Sequence, residues 1–377
     1  MGNHRGKITD GSHGLCLARC QVLLSGVRFS VVVPLYNRPE EIRELLESLT
    51  LQTVKDFEVL VVEDGSDRDA REIVASFSDR LDVHYFWKEN ERQGFTRNYG
   101  FERAKGDWMV VFDSDCLIPS RYFEHVADFL DRHPDVDVFG GPDAAHSSFT
   151  PIQKAISHSM TSFLTTGGIR GGEQQLGTYQ PRSFNMGISR RAWEVSGGYR
   201  ITVKGEDIEF SMRLLAHGLK SALIPDAVVF HKRRTDFGQF RKQVEFFGRA
   251  RVNIRRFFPG SLKPLHWMPT LFLGYVAALV PLLALVLLWK EGWGAIGAFG
   301  ALLPYVVWHV SIGLEALIKT GEWRVAILAP RAARIQLTSY GWGLLSEYLA
   351  VVVFKKRDAL IGDVREVPLM PQNTKAK

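Results

Sequence analysis

The chain has 377 residues, of which 46% are hydrophobic and 23% charged, with a net charge of +6. That composition is ordinary for a globular protein, and the length suffices for one large domain with an accessory segment. Three cysteines, Cys16, Cys20 and Cys116, exclude a disulfide framework and fit a reducing compartment.

Residues 1–27 hold His, Gly and Arg without a long apolar core, and are expected to form a disordered extension. The run LCLARCQVLL is broken by Arg19, so it makes a poor signal core. RFSVVVP at 28–34 reads as a buried strand. Residues 39–51 place Ile42, Leu45, Leu46 and Leu49 at helical spacing. FEVLVVEDGS at 57–66 is a strand running into a polar turn, and 69–77 a short helix. Residues 83–86 give a third strand and 96–104 a third helix. DWMVVFDSD at 107–115 is a fourth strand with carboxylates at its end. A helix at 120–133 and a strand at 136–141 follow, then a loop at 167–177, a helix at 206–217 and a strand pair at 221–231. Strands alternating with helices argue for an α/β domain with a mainly parallel sheet. In such sheets ligands bind beyond the carboxyl ends of the strands, where EDGS, DSD and GGPD all fall.

The positive charge is local. Between His231 and Lys263 stand ten Lys or Arg against two acids, and the rest of the chain is close to neutral. This basic stretch, with an aromatic-bearing helix at 237–256, directly precedes an apolar run. It suits anionic headgroups and the positive-inside rule. With no nucleic-acid-binding motif beside it, nucleic acid is the weaker reading and is not expected as a partner. Residues 264–289 and 292–314 lack formal charge and are long enough to cross a bilayer. A third apolar stretch, 335–354, carries Glu347. A third crossing would put Lys355, Lys356 and Arg357 outside, so two spans are favoured, with the third stretch interfacial or, as the alternative, spanning. The expected division is an extension (1–27), a catalytic domain (28–235), a basic juxtamembrane helix (236–263), a membrane region (264–357) and a tail (358–377).

Asp113 and Asp115 sit one residue apart at a strand end, where two carboxylates can share a hard divalent cation such as Mg²⁺ or Mn²⁺. An isolated DxD is more often a solvated turn. Here it follows WMVVF about fifty residues after EDGS, which favours the metal reading. Asp64 sits where a strand enters a turn, and turn chemistry alone would explain Asp-Gly-Ser. Glu206 and Asp207 open a helix, where the dipole by itself favours acids.

In order, SVVVPLYNRPEEIRELLESLTLQT, FEVLVVEDGS, GFTRNYG, GDWMVVFDSDC and GEDIEFSMRL resemble glycosyltransferase family 2, over about residues 28–231. The resemblance implies a GT-A nucleotide-binding fold followed by transmembrane helices, as in membrane-bound bacterial members. It implies that Pro34 and Tyr36 line a nucleotide base and that Asp64 bonds the base or ribose. Arg97 and Asn98 would face the nucleotide, Asp113 would contact ribose or metal, and Asp115 would hold the metal. Of Glu206 and Asp207, the aspartate would be the catalytic base. His231 is a further diphosphate or metal contact, though a lone histidine is more often structural.

One base, one metal and no enzyme nucleophile describe a single displacement with inversion. The expected reaction moves a sugar from a nucleotide-sugar donor to a lipid-linked or glycan acceptor. It would run at the cytosolic face of a bacterial inner membrane, with the catalytic domain cytoplasmic and membrane lipids as partners. The alternatives are a polyprenyl-phosphate monosaccharide synthase and an inactive membrane scaffold. A processive synthase is disfavoured, because QFRKQ at 239–243 only loosely echoes a QxxRW motif.

Overall fold

A computed structural model describes residues 27–167, 179–202, 205–288, 292–356 and 364–365. Residues 1–26, nearly all of the expected 167–177 loop and most of the expected tail lie outside them. The chain opens with β1 (Phe29–Leu35), α1 (Pro39–Thr50), β2 (Phe57–Asp64), α2 (Arg71–Ala75), β3 (Val83–Lys88), α3 (Arg92–Phe101) and β4 (Trp108–Val111). It continues with β5 (Cys116–Leu117), α4 (Tyr122–Arg132), β6 (Val138–Gly140), β7 (Asp143–Ala144), α5 (Pro151–Thr161) and α6 (Phe163–Thr166). Next come β8 (Met186–Ser189), α7 (Arg190–Ser196), α8 (Glu206–Ala216), β9 (Ser221–Leu223), β10 (Val229–His231) and α9 (Phe237–Ile254). The last three helices are α10 (Met268–Leu288), α11 (Gly292–Thr320) and α12 (Trp323–Tyr348).

Seven strands form one sheet in the order β3-β2-β1-β4-β8-β6-β9. β8 runs antiparallel to both neighbours, and the other pairs are parallel. Side-chain alternation divides the core. Phe29, Val31, Val33 and Leu35 of β1 join Ile42, Leu45 and Leu49 of α1 and Tyr122, Phe123 and Val126 of α4. Val32 points to the other face, with Phe101, Tyr199, Phe210 and Leu214. α1 starts where Pro39 presets the helical φ and Glu40 and Glu41 complement the dipole. The strand order reverses between β1 and β4, which opens a crevice at their carboxyl ends.

Several expectations need correction. The strand expected at 107–115 ends at Val111, so both carboxylates of DSD stand in the turn beyond it. The helix expected at 96–104 runs from Arg92 to Phe101. β9 and β10 do not pair: β9 joins β6 in the large sheet, while β10 lies between β5 and β7 in a three-stranded sheet. That small sheet sets His231 opposite Cys116.

α9 and α12 cross closely at two glycines. A Cβ on Gly248 would come 2.3 Å from the Tyr340 carbonyl oxygen, and one on Gly343 would come 2.1 Å from that of Glu245. α5 joins them through Ala155, Ile156 and Met160, packed with Phe240, Val244, Ala329 and Ala333. α5 begins at a capping box, Thr150 with Gln153. Lys154 pairs with Glu322 at 2.7 Å, Ser159 Oγ donates to Gln336 at 3.0 Å, and Trp308 Nε1 donates to the Leu164 carbonyl at 3.0 Å. Among the described residues, two helical stretches, Pro264–Leu282 and Phe299–Thr320, are long and apolar enough to cross a membrane. The third apolar stretch takes in the second half of α12, one of whose faces is buried by protein, and the π-helical turn after it, Leu349–Val353.

Candidate active site

The loops after β1 and β2 are pinned together by Asn37. Its φ is +53°, a left-handed value that Asn tolerates better than most residues. Its Oδ1 accepts from the Asp67 and Arg68 amides at 2.9 and 3.2 Å, and its own amide donates to Ser66 Oγ at 2.7 Å. Gly65 turns the second loop at φ +69°, where a Cβ would lie 2.8 Å from the Asn90 nitrogen. Pro34 is half-buried at the mouth of this region and Tyr36 is exposed.

Asp64 is buried at the end of β2. Its Oδ1 accepts from Lys88 Nζ at 3.1 Å and from the Glu91 amide at 3.0 Å. Lys88 also pairs with Glu91 at 2.8 Å, and Glu91 pairs with Arg365 at 2.6 Å.

Arg97 is the centre of the crevice. Only 2% exposed, its guanidinium reaches Asp113 at 3.0 Å and Glu206 at 3.3 Å. Gln93, one turn earlier on α3, donates to the same Glu206 oxygen. Burial first, and then the adjacent Asp207 carboxylate, push Glu206 above its ordinary value. Asp207 is more open. Arg182 Nη1 lies 3.6 Å from its Oδ2, and the Ile208 amide donates to its Oδ1 at 2.8 Å. Gly205, at φ +96°, starts α8 and presents the acidic pair.

Arg97 and Asn98 were both expected to face a nucleotide, and neither is presented outward. Arg97 is enclosed between two carboxylates. Asn98 spends its amide on Tyr199, donating to its carbonyl at 2.8 Å and accepting from its amide at 2.7 Å. The two side chains leave the helix about 100° apart, Asn98 toward Tyr199 and Arg97 toward the carboxylates.

Asp115 occupies the far wall. Its Oδ2 accepts from Arg38, and His231 Nε2 lies 3.2 Å from its Oδ1. That Oδ1 is buried, and the imidazole lies against it without a well-aligned hydrogen bond. Burial alone would raise the carboxyl, but His231 and Arg38 hold it well below the usual range. Asp115, Cys116 and His231 offer ligand atoms within 4.8 Å of one another. A buried carboxylate oxygen and an imidazole nitrogen set side by side are the oxygen and nitrogen donors a divalent cation takes. The Cys116 thiol, pushed up by burial, suits packing better than ligation.

Sequence reasoning passed over Arg38, Asn37, Gln93 and Lys88. Gln93 carried a usable signal, standing four residues before Arg97 on one helix face. Arg38 and Lys88 reach the crevice through loop and strand geometry that spacing does not encode.

Residues 30–194, from β1 into α7, match the family described as Glycosyl transferase family 2. The chain carries a family 2 glycosyltransferase domain. It is 33% identical over 111 residues to an uncharacterized glycosyltransferase of Rickettsia conorii, covering 29% of this chain and 18% of that relative's length. It is 26% identical over 271 residues to glycosyltransferase AglE of Haloferax volcanii, covering 63% of this chain and 83% of the relative. Among solved structures, mannosyltransferase PcManGT of Pyrobaculum calidifontis, in complex with GDP-Man and Mn²⁺, superposes with a TM-score of 0.55 at 17% identity, covering 92% of this chain and 96% of that one. The glycosyltransferase domain therefore has the GT-A fold, an α/β domain followed here by C-terminal helices.

Proposed function

We propose that this glycosyltransferase domain moves a sugar from a nucleoside-diphosphate sugar to an acceptor at the membrane surface, in one displacement with inversion. The observation that carries the reading is the Arg97 bridge, which gathers Asp113 and the Glu206–Asp207 pair around one crevice at the strand-order reversal. The partly open carboxylate of Asp207 takes the proton from the acceptor hydroxyl as it attacks. Arg182 steadies Asp207 from one side, and Glu206, held by Arg97 and Gln93, fixes the start of its helix. Pro34 and Tyr36 line the base, and Asp64 bonds base or ribose. Asp115 and His231, with Asp113 beside them, are the residues that would hold Mg²⁺ or Mn²⁺. A bound cation would supply positive charge for the departing nucleoside diphosphate. Arg38 on the same wall adds a cation of the protein's own.

Membrane attachment rests on exposed apolar side chains. Leu271, Val280, Phe299, Leu303, Val307, Val310 and Ile318 are all open, a density that water does not favour. Both ends of the α10–α11 hairpin meet the catalytic domain. α9 leads into its first helix, and Glu322, just past its second, pairs with Lys154. A hairpin that leaves and returns to one body crosses twice, with the domain on the cytosolic, basic side.

The test assays full-length, detergent-solubilised protein against a panel of UDP- and GDP-sugars, with membrane lipid extract as acceptor. Mn²⁺ or chelator would be added in parallel. Release of nucleoside diphosphate should depend on the metal and fall roughly 10²–10⁴-fold in Asp207→Asn, at unchanged thermal midpoint. Full activity in the variant would remove Asp207 as the base. Turnover indifferent to chelator would remove the metal.

A further inference from the structure

α12 is amphipathic in a way its sequence conceals. At 3.6 residues per turn, Trp323, Arg324, Ile327, Arg331, Arg334 and Trp342 project within an arc of about 100°. All six are exposed, Trp323, Ile327 and Trp342 to 63%, 67% and 53%. The opposite arc, with Val325, Ala329, Ala332, Ser339, Gly343 and Leu344, is buried.

We propose that this outward stripe rests on an anionic phospholipid surface, making α12 a helix that lies in the membrane plane. The proposal depends on the membrane reading of α10 and α11 given above. Three observations choose lipid as the occupant. The stripe begins within three residues of Thr320, the end of a candidate span, so a bilayer around α11 is already beside it. Its charges are all cationic: the one acid within α12, Glu347, is buried on the other side. Tryptophans flank the arginines, the pattern that suits the headgroup layer, where indoles settle and guanidinium groups reach phosphate. A third crossing is disfavoured, because Arg331 and Arg334 stand mid-helix and the inner face is already covered by α9 and α5. Because that inner face packs against α5 of the catalytic domain, the stripe fixes how the crevice is tilted over the membrane.

The experiment uses the full chain with Cys16 and Cys20 changed to serine, and Cys116 left buried. Single cysteines replace Ile327 or Val307, both exposed, and carry a nitroxide. The protein is reconstituted in phosphatidylcholine vesicles with or without phosphatidylglycerol. Accessibility to oxygen and to a water-soluble nickel chelate gives the depth of each probe. The expected result is a deep probe at 307, with 327 at headgroup depth and gaining nickel accessibility when phosphatidylglycerol is omitted. A probe at 327 open to nickel in both vesicles, with 307 still deep, overturns the α12 proposal and leaves the membrane reading standing. Water at both positions overturns both. A 327 probe shielded from both reagents whatever the lipid indicates a protein partner, and also overturns the proposal.

Discussion

Arg97 shows how much one side chain can organise. Its charge is enclosed over the Tyr199 ring, and each of its two ion pairs is with a carboxylate from a different part of the chain. Removing one member of a buried ionic group leaves the others uncompensated, at a cost of about 3–5 kcal/mol. Arg97→Met should therefore lower the thermal midpoint sharply, and adding Glu206→Gln should restore part of it, because the neutral amide needs no cation. A midpoint unchanged by Arg97→Met would mean that the bridge carries little of the domain's stability. The acids of this centre were legible in the sequence, because paired carboxylates after a strand and at a helix start are local patterns. The direction of Arg97 was not. It depends on α3 lying against the start of α8, more than a hundred residues later in the chain.

Elements divide in the same way. β1, α1 and β2 were readable because each has one dominant apolar period. β8 and α5 were not assigned. β8 is four residues long within a polar segment, and α5 carries Ser, His and Gln that become buried only through tertiary contacts, Ser159 with Gln336 of α12, His158 with Glu315 of α11 and Gln153 with the Arg233 carbonyl. Only the second half of α12 was legible, because Arg324, Arg331 and Arg334 interrupt the apolar pattern before Ile335. The α9–α12 crossing gives a sharp test of that packing. Gly343→Ala must push the helices apart or distort them, for about 1–3 kcal/mol. Gly260→Ala, where nothing lies within 4 Å of the added carbon, should be close to neutral. Equal thermal midpoints for the two variants would mean that the helices do not approach as described.

For the whole molecule, the question is how the catalytic domain is held to the helical hairpin. His158 of α5 is buried at this junction, 3.6 Å from Glu315, with Ser162 and Lys319 also bonded to Glu315. Burial, its largest influence, pushes His158 below its ordinary value of 6.5, against the pull of Glu315. The folded state then binds the proton less readily than the unfolded one. The stability this provides is present above pH 6.5 and is lost as pH falls through the folded value. The thermal midpoint in detergent should drop as pH falls below 6.5, and His158→Gln should flatten that drop. An identical slope in the variant would assign the pH response to other groups.

The contact of Arg365 with Glu91 has a consequence for how the protein is made. Val364 bridges to Ile201, the Arg365 amide donates to the Arg200 carbonyl at 2.9 Å, and Glu91 in turn borders Asp64 through Lys88. These residues leave the ribosome after the apolar hairpin, although the segments they fasten were synthesised first. The rim of the crevice is therefore completed last. A nascent chain halted after its second apolar helix would already hold every carboxylate of the site, yet would still lack this final stitch beside Asp64.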